Sequence, residues 1–255
     1  MLRPRVIPVL LLDGRRLVKT KRFTEPRYVG DPVNAVRIFN TKEVDELMLL
    51  DLAAAVSGRP DFDLVREIAS EAFMPVAYGG GVRTLGDMER LFGLGVEKIT
   101  LGHAALRDPA LLTAAAARFG RQSMVACIDV KKRLLGGYDV VTARGRESGN
   151  RRPVEFALAC AAAGAGEILL QNVDRDGTRQ GYDLDLIREV ATAVDVPLIA
   201  CGGAGKLDDL RAAIHQAGAS AAAAGSLFVF HGKLEAVLIS YPPPPALAAL
   251  AAPPS

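Results

Sequence analysis

Several groups of residues in this 255-residue chain have the chemistry and spacing of a site. Asp129 ends the run "MVACID" (124–129), a lone carboxylate at the end of an otherwise apolar approach. A carboxylate so placed suits a general acid or base, with a pKa open to tuning by burial, although pairing with Lys131 or an Arg for structure alone is also open. The loop "NVDRDGT" (172–178) sets Asp174 and Asp176 on either side of Arg175 and continues through Gly177 to Thr178. Glycines cluster twice, at Gly79-Gly80-Gly81 and at Gly202-Gly203, and each cluster is followed by a second small-residue end, Gly102-His103 and Gly225-Ser226. Glycine lets backbone N–H groups approach a phosphate, and the Ser226 hydroxyl fits that role. A site of this kind occurring twice implies a ligand with a phosphate at each end; the alternative is that the glycines only allow tight turns. Arg5, Glu46, Lys98 and Glu167 stand at the opposite ends of four apolar segments. Two bases and two acids aimed at one axis form a salt-bridged ring, a plug or simply a stabilising layer.

The elements that must hold these groups alternate in type. Apolar runs predict strands at 6–11, 46–52, 75–78, 98–101, 124–130, 167–171, 197–201 and 220–224, with amphipathic stretches between them. Asp31-Pro32 and Asp108-Pro109 place a cap residue before a first-turn proline, and Thr84 with Asp87 has the spacing of a capping box. Strand and helix in alternation call for parallel pairing with right-handed crossovers.

An internal repeat separates a closed barrel from an open doubly wound sheet. "MPVAYGGGVRTLGDM" (74–88) is answered by "VPLIACGGAGKLDDL" (196–210), and "FDLVREIAS" (62–70) by "LDLIREVAT" (184–192), both at an offset of 122 residues. "DELMLLD" (45–51) is answered by "GEILLQN" (166–172) at 121. Two tandem halves of four βα units predict a single (βα)8 barrel of α/β class, with its site at the C-terminal ends of the strands. The same repeat lays "VIPVLL" (6–11) over "MVACID" (124–129), so Leu11 stands where the second half has Asp129. Asp13 lies two residues further on and could reach back only if its loop turned inward.

Two segments fall outside the alternation. "KKRLLGGYDVVTARGR" (131–146) predicts a small hairpin over the mouth, turning at Gly136-Gly137. Residues 241–255, rich in proline and alanine, are expected to form a disordered or loosely packed tail beyond a 1–240 barrel.

Thirty-one Lys and Arg balance 29 Asp and Glu for a net charge of +2, and Trp is absent, which gives no electrostatic case for nucleic acid. No run approaches the ~20 apolar residues of a membrane span, and no leader is visible before the first strand. Cys127, Cys160 and Cys201 are odd in number and set in apolar segments, so reduced core thiols in a cytoplasmic protein are expected. No metal and no cofactor is expected.

Together these residues resemble the cyclase subunit of imidazole-glycerol-phosphate synthase over nearly the whole chain. "LVK" ending at Lys19, "GDP" at 30–32, "DEL" at 45–47, the Gly79–Gly81 triplet, "GAGEILL", "DRDGT", "GYD" and "GGAGK" occur in family order and spacing. The resemblance implies a (βα)8 barrel on a glutaminase partner, a heterodimer in which ammonia enters past a charged gate matched by Arg5, Glu46, Lys98 and Glu167. It also implies a phosphorylated small-molecule ligand bound by Lys19, Gly80, Gly81, Gly102, His103, Asp176, Gly177, Gly202, Gly203, Gly225 and Ser226, with Asp129 catalytic.

Two departures touch the site. The family pairs carboxylates at the ends of strands one and five, and Leu11 replaces the first. Gly102-His103 stands where the family offers Asn and Thr. "IPVLLL", "LVKT", "PRYVGDP", "FMPVAYGGG" and "GKLEAVLISYP" are similar to cyclase-like paralogues associated with surface-polysaccharide synthesis. That likeness implies ammonia delivery with a glutaminase and a separate amidotransferase, for conversion of an acetamido group on a nucleotide-activated sugar to acetamidino. The alternatives are a working histidine-pathway cyclase and lyase, and a non-catalytic activator of a glutaminase. The basic, Gly-ended 21–30 segment is expected to be a mobile lid.

Overall fold

A computed structural model describes residues 3–142, 147–232 and 234–252. Eight parallel strands form the sheet: β1 (Arg5–Asp13), β2 (Leu47–Asp51), β3 (Val76–Gly79), β4 (Lys98–Leu101), β5 (Met124–Lys132), β6 (Glu167–Asn172), β7 (Leu198–Cys201) and β8 (Ala221–Ala224). Each pairs in parallel with the next, and β8 pairs back onto β1 through Arg5 with Ala221 to Pro8 with Ala224, so the sheet closes. The expected (βα)8 barrel is the observed architecture.

Strand periodicity sorts the core into two layers. Ile7, Val9 and Leu11 point into the lumen with Met48, Ala77, Val125, Leu169 and Ile199, while Val6, Leu10 and Leu12 point outward beneath the helices. The alternation follows from the two-residue period of a pleated strand. Helix starts follow the sequence signals. The Asp31 side chain accepts from Asn34 N at 2.8 Å ahead of Pro32, and Thr84 and Asp87 complete the capping box. The repeat persists in the caps: Asp61 and Asp183, 122 residues apart, begin the matching helices Phe62–Glu71 and Leu184–Ala193.

Strand ends differ from the sequence expectation where another element takes over. β2 stops at Asp51 because that side chain caps the helix Leu52–Ser57, accepting from Ala54 N at 2.8 Å. β5 runs on to Lys132 because the segment after it folds back as the expected hairpin, pairing Lys132 with Tyr138 around Gly136 and Gly137, both at positive φ. Residues 143–146 of that expected hairpin lie outside the described residues. The 21–30 segment, expected as a loop, is mostly the strand Thr24–Gly30, paired antiparallel with Arg16–Lys21. Among the described residues no helix is long and apolar enough to cross a membrane.

The expectation that the C-terminal segment stays out of the core is overturned. Pro244–Ala251 is a helix packed on the helix Leu207–His215, with Leu247 and Leu250 buried. Pro244 falls in the first turn, where a missing N–H costs nothing, and the alanines after it favour the helix. The His215 ring meets the Leu250 carbonyl at 2.8 Å, and Tyr241 donates from its hydroxyl to the Val6 carbonyl at 2.9 Å. Compositional bias had hidden an outer helix. Leu247→Ala is expected to lower unfolding free energy by about 2–4 kcal/mol in denaturant titration; a loss within about 0.5 kcal/mol would return the segment to a tail.

Candidate active site

The chemistry-bearing residues fall at the two ends of the lumen. At the floor, Arg5, Lys98 and Glu167 begin β1, β4 and β6, and Glu46 immediately precedes β2. Arg5 pairs with Glu46 and, at 2.9 Å, with Glu167; Lys98 Nζ reaches Glu46 at 2.9 Å and Glu167 at 3.2 Å. The four therefore form a closed ring of alternating sign with no net charge. Two oxygens near it stay unpartnered although buried, Glu46 Oε1 and Thr100 Oγ1. Thr100 lies two residues beyond Lys98 on β4, so the strand period puts both on one face. Above the ring the lumen is packed with apolar side chains, Ile7, Met48, Ala77, Val125, Leu169, Ala221 and Ala223 among them.

At the mouth, a pocket is lined by Lys19, Asp176, Gly177, Gly202, Gly203, Gly225 and Ser226, together with Leu11, Gln171 and Cys201. Lys19 Nζ donates to Asp176 Oδ1 at 2.8 Å and to the Thr20 carbonyl at 2.9 Å, and Thr20 Oγ1 donates to Asp176 Oδ2 at 3.0 Å. All three side chains are buried, and the hairpin following β1 delivers Lys19 and Thr20 to that position. Buried charges persist when they are paired and hydrogen-bonded, as these are. Gly225 makes room for the lysine, since a Cβ there would stand 3.0 Å from Lys19 Cε.

The paired glycine clusters have a steric cause that the repeat preserves. A Cβ on Gly80 would lie 2.3 Å from the Asp51 carbonyl oxygen, and one on Gly202 would lie 2.5 Å from that of Asn172. Both glycines have positive φ. Backbone crossing at each strand end thus requires glycine whether or not a ligand binds there. Gly80 and Gly81 follow β3, Gly102 and His103 follow β4, and none of the four is in the lining of the second-half pocket.

Asp129 faces the lumen near the end of β5, and Cys127 Sγ stands 3.6 Å from its Oδ1. Burial pushes the carboxyl up to about 7 from an ordinary 3.8; the Cys127 thiol opposes that shift and the Asp176 charge adds to it. Burial, reinforced by the Asp129 charge, also raises the Cys127 thiol, so this sulfur is held neutral. Leu11 lies in the lumen cluster, in register with Val18 and Leu50. Asp13 pairs in register with Arg16 at the base of the hairpin, two positions past Leu11. Two mouth residues escaped the sequence reading. Gln171 is in register with both Asp129 and Cys201, and the signal was a polar residue on the inward phase of an apolar strand. Thr20, by contrast, gave no signal, because its contact with Asp176 spans 156 residues.

Residues 5–235 match the family model described as histidine biosynthesis protein. A protein of Pseudomonas aeruginosa, provisionally named imidazole glycerol phosphate synthase subunit hisF2, is 53% identical over 243 residues, 95% of this chain and 97% of its own. One of Vibrio vulnificus, provisionally named subunit hisF3, is 50% identical over 246 residues, 96% of this chain and 95% of its own. The imidazole glycerol phosphate synthase subunit HisF of Myxococcus xanthus is 46% identical over 223 residues, covering 87% and 88%. With a closed (βα)8 barrel and these relatives along nearly its full length, the chain belongs to the histidine biosynthesis protein family.

Proposed function

We propose that this chain receives ammonia from a glutaminase subunit docked over the Arg5–Glu46–Lys98–Glu167 ring and releases it at the opposite mouth, with cyclase chemistry reduced or absent. The observation that carries this reading is Leu11. It puts a hydrocarbon at the position that the repeat matches to Asp129, where the resemblance implies a second carboxylate, while the floor ring and the lumen remain in place. Removing one of two cooperating acid–base groups costs about two to four decades in rate. A small neutral molecule crosses an apolar lumen more readily than ammonium does, since a charge must shed its water to enter. The acceptor in this reading is an acetamido group on a nucleotide-activated sugar, converted to acetamidino by a separate amidotransferase in surface-polysaccharide synthesis in the cytoplasm.

A second reading, a working histidine-pathway cyclase and lyase, is favoured by one specific feature. Asp129 and the pocket holding Lys19, Asp176 and Ser226 would still bind a phosphorylated ligand and exchange a proton near neutral pH. Gly80, Gly81, Gly102 and His103 would be the second phosphate contact in that reading.

Two measurements bear on these readings. Supplied with the histidine-pathway ribonucleotide and an ammonium salt, the purified chain is expected to turn over at least about a hundredfold more slowly than a cyclase carrying both acids. Comparable turnover would sink the first reading, and a gain on Leu11→Asp would show that the rest of the site survives. The second concerns Asp129. The folded chain holds its proton more tightly than the unfolded chain does, so the stability linked to it is full below about pH 4 and is lost as pH rises toward 7. Asp129→Asn is therefore expected to leave stability unchanged near pH 4 and to raise it by about 2–4 kcal/mol at pH 8, read by denaturant titration. A difference independent of pH would remove the case for a neutral buried carboxyl.

A further inference from the structure

Each half of the barrel sends a hairpin to the mouth, and each hairpin meets the same capping carboxylate of its own half. Asp61 and Asp183 both start a helix with Oδ1, which accepts from Leu64 N at 3.0 Å in the first half and from Leu186 N at 3.4 Å in the second. Both turn Oδ2 to a residue beside the hairpin turn. Asp61 Oδ2 lies 3.8 Å from Arg15 Nη1, and Asp183 Oδ2 accepts from the Tyr138 hydroxyl. Arg15 and Tyr138 stand 123 residues apart, close to the 122 that separate the two caps. The repeat therefore preserves a tether as well as a cap.

The two tethers differ in strength. The Arg15 side chain is 52% exposed and also pairs with Glu67, so water and a second acid share that contact. The Asp183 side chain is only 15% exposed, and its Oδ2 also accepts from Asn172 Nδ2 at 3.2 Å. A hydroxyl bonded to a shielded carboxylate is the firmer of the two. Burial, reinforced by that bond, pushes the Tyr138 hydroxyl up from an ordinary 10.0, so it stays a donor.

From Asp183 the contacts run on to Lys19. Asn172 Oδ1 accepts from Arg175 N at 3.2 Å, and Lys132 N donates to the Asp174 carboxylate at 2.8 Å, which joins β6, the second hairpin and the 172–178 loop. That loop in turn holds the tip of the first hairpin. Arg22 N donates to the Asp176 carbonyl at 2.9 Å, Arg22 Nε donates to the Asp174 carbonyl at 3.1 Å, and Lys19 Nζ donates to the Asp176 side chain. The tip is strained: Arg22 and Phe23 sit at φ 54° and 61°, left-handed values that disfavour side chains. Its bonds to the loop hold it against that strain.

We propose that Tyr138 is a positioning residue for Lys19. Through Asp183 it fixes the 172–178 loop, and the loop keeps Lys19 and the strained tip seated at the mouth. When the Tyr138 bond is lost, the loop yields and Lys19 leaves Asp176. The assignment holds whichever reaction the mouth performs, because it concerns only how the cation there is held in place.

The test follows acetylation of individual lysines in the full chain by an N-hydroxysuccinimide ester, read by mass spectrometry. Lys19, 6% exposed and ion-paired, is expected to react slowly. Tyr138→Phe removes one oxygen and no packing, and is expected to speed its acetylation about fivefold or more. Asp183→Ser keeps a capping oxygen and is expected to do the same, and the two changes together are expected to do no more than either alone. Asp61→Ser, the matching change in the first half, is expected to leave Lys19 within about twofold of the unaltered chain. Lys98, in the floor ring, reports general loosening and is expected to be unaffected. Fast reaction of Lys19 in the unaltered chain, or an unchanged rate in Tyr138→Phe, overturns the assignment. So do effects that add in the double variant, an equal gain from Asp61→Ser, or a parallel gain at Lys98.

Discussion

Closure of the sheet is the constraint on which the other features depend. A strand in a closed barrel has no free edge, so each residue faces either the lumen or the helix layer, and which one is decided by parity. Arg5, Ile7, Val9 and Leu11 share one phase of β1, and Lys98 and Thr100 share one phase of β4. The same alternation that packs the lumen therefore carries charge at its floor and sets what stands at its mouth. A change at position 11 alters the mouth without touching the helix layer, because Leu10 and Leu12 do that packing.

The two-fold repeat separates the residues that the scaffold requires from those that it leaves free to differ. Gly80 against Asp51 and Gly202 against Asn172 are one steric solution used twice, and the caps Asp61 and Asp183 are another. These residues are fixed by backbone crossings and helix starts. The halves diverge instead in groups that no crossing requires: Leu11 against Asp129, and the Lys19–Asp176 pair, which joins a hairpin of one half to a loop of the other.

What could be read in the sequence follows the same division. Strand phase, helix caps and the repeat are local or periodic, so the barrel, the ring of Arg5, Glu46, Lys98 and Glu167, and the odd position of Leu11 were all visible there. The Lys19–Thr20–Asp176 cluster depends on contacts across about 157 residues, which no local pattern encodes. Composition misled at the C-terminus, where a run of prolines suggested a chain with nothing to bury, although Leu247 and Leu250 recur at a helical spacing. The strand Thr24–Gly30 was missed because it breaks its own alternation, with register shifts against its partner.

Tyr241 reaches back to the Val6 carbonyl and to Asp45, the neighbour of Glu46. A residue 235 positions further along the sequence therefore ties down the start of β1 and the residue beside Glu46. The floor is thus assembled from residues far apart in sequence, Arg5 and Glu46 with Glu167 and Tyr241, and no single stretch of the chain forms it alone.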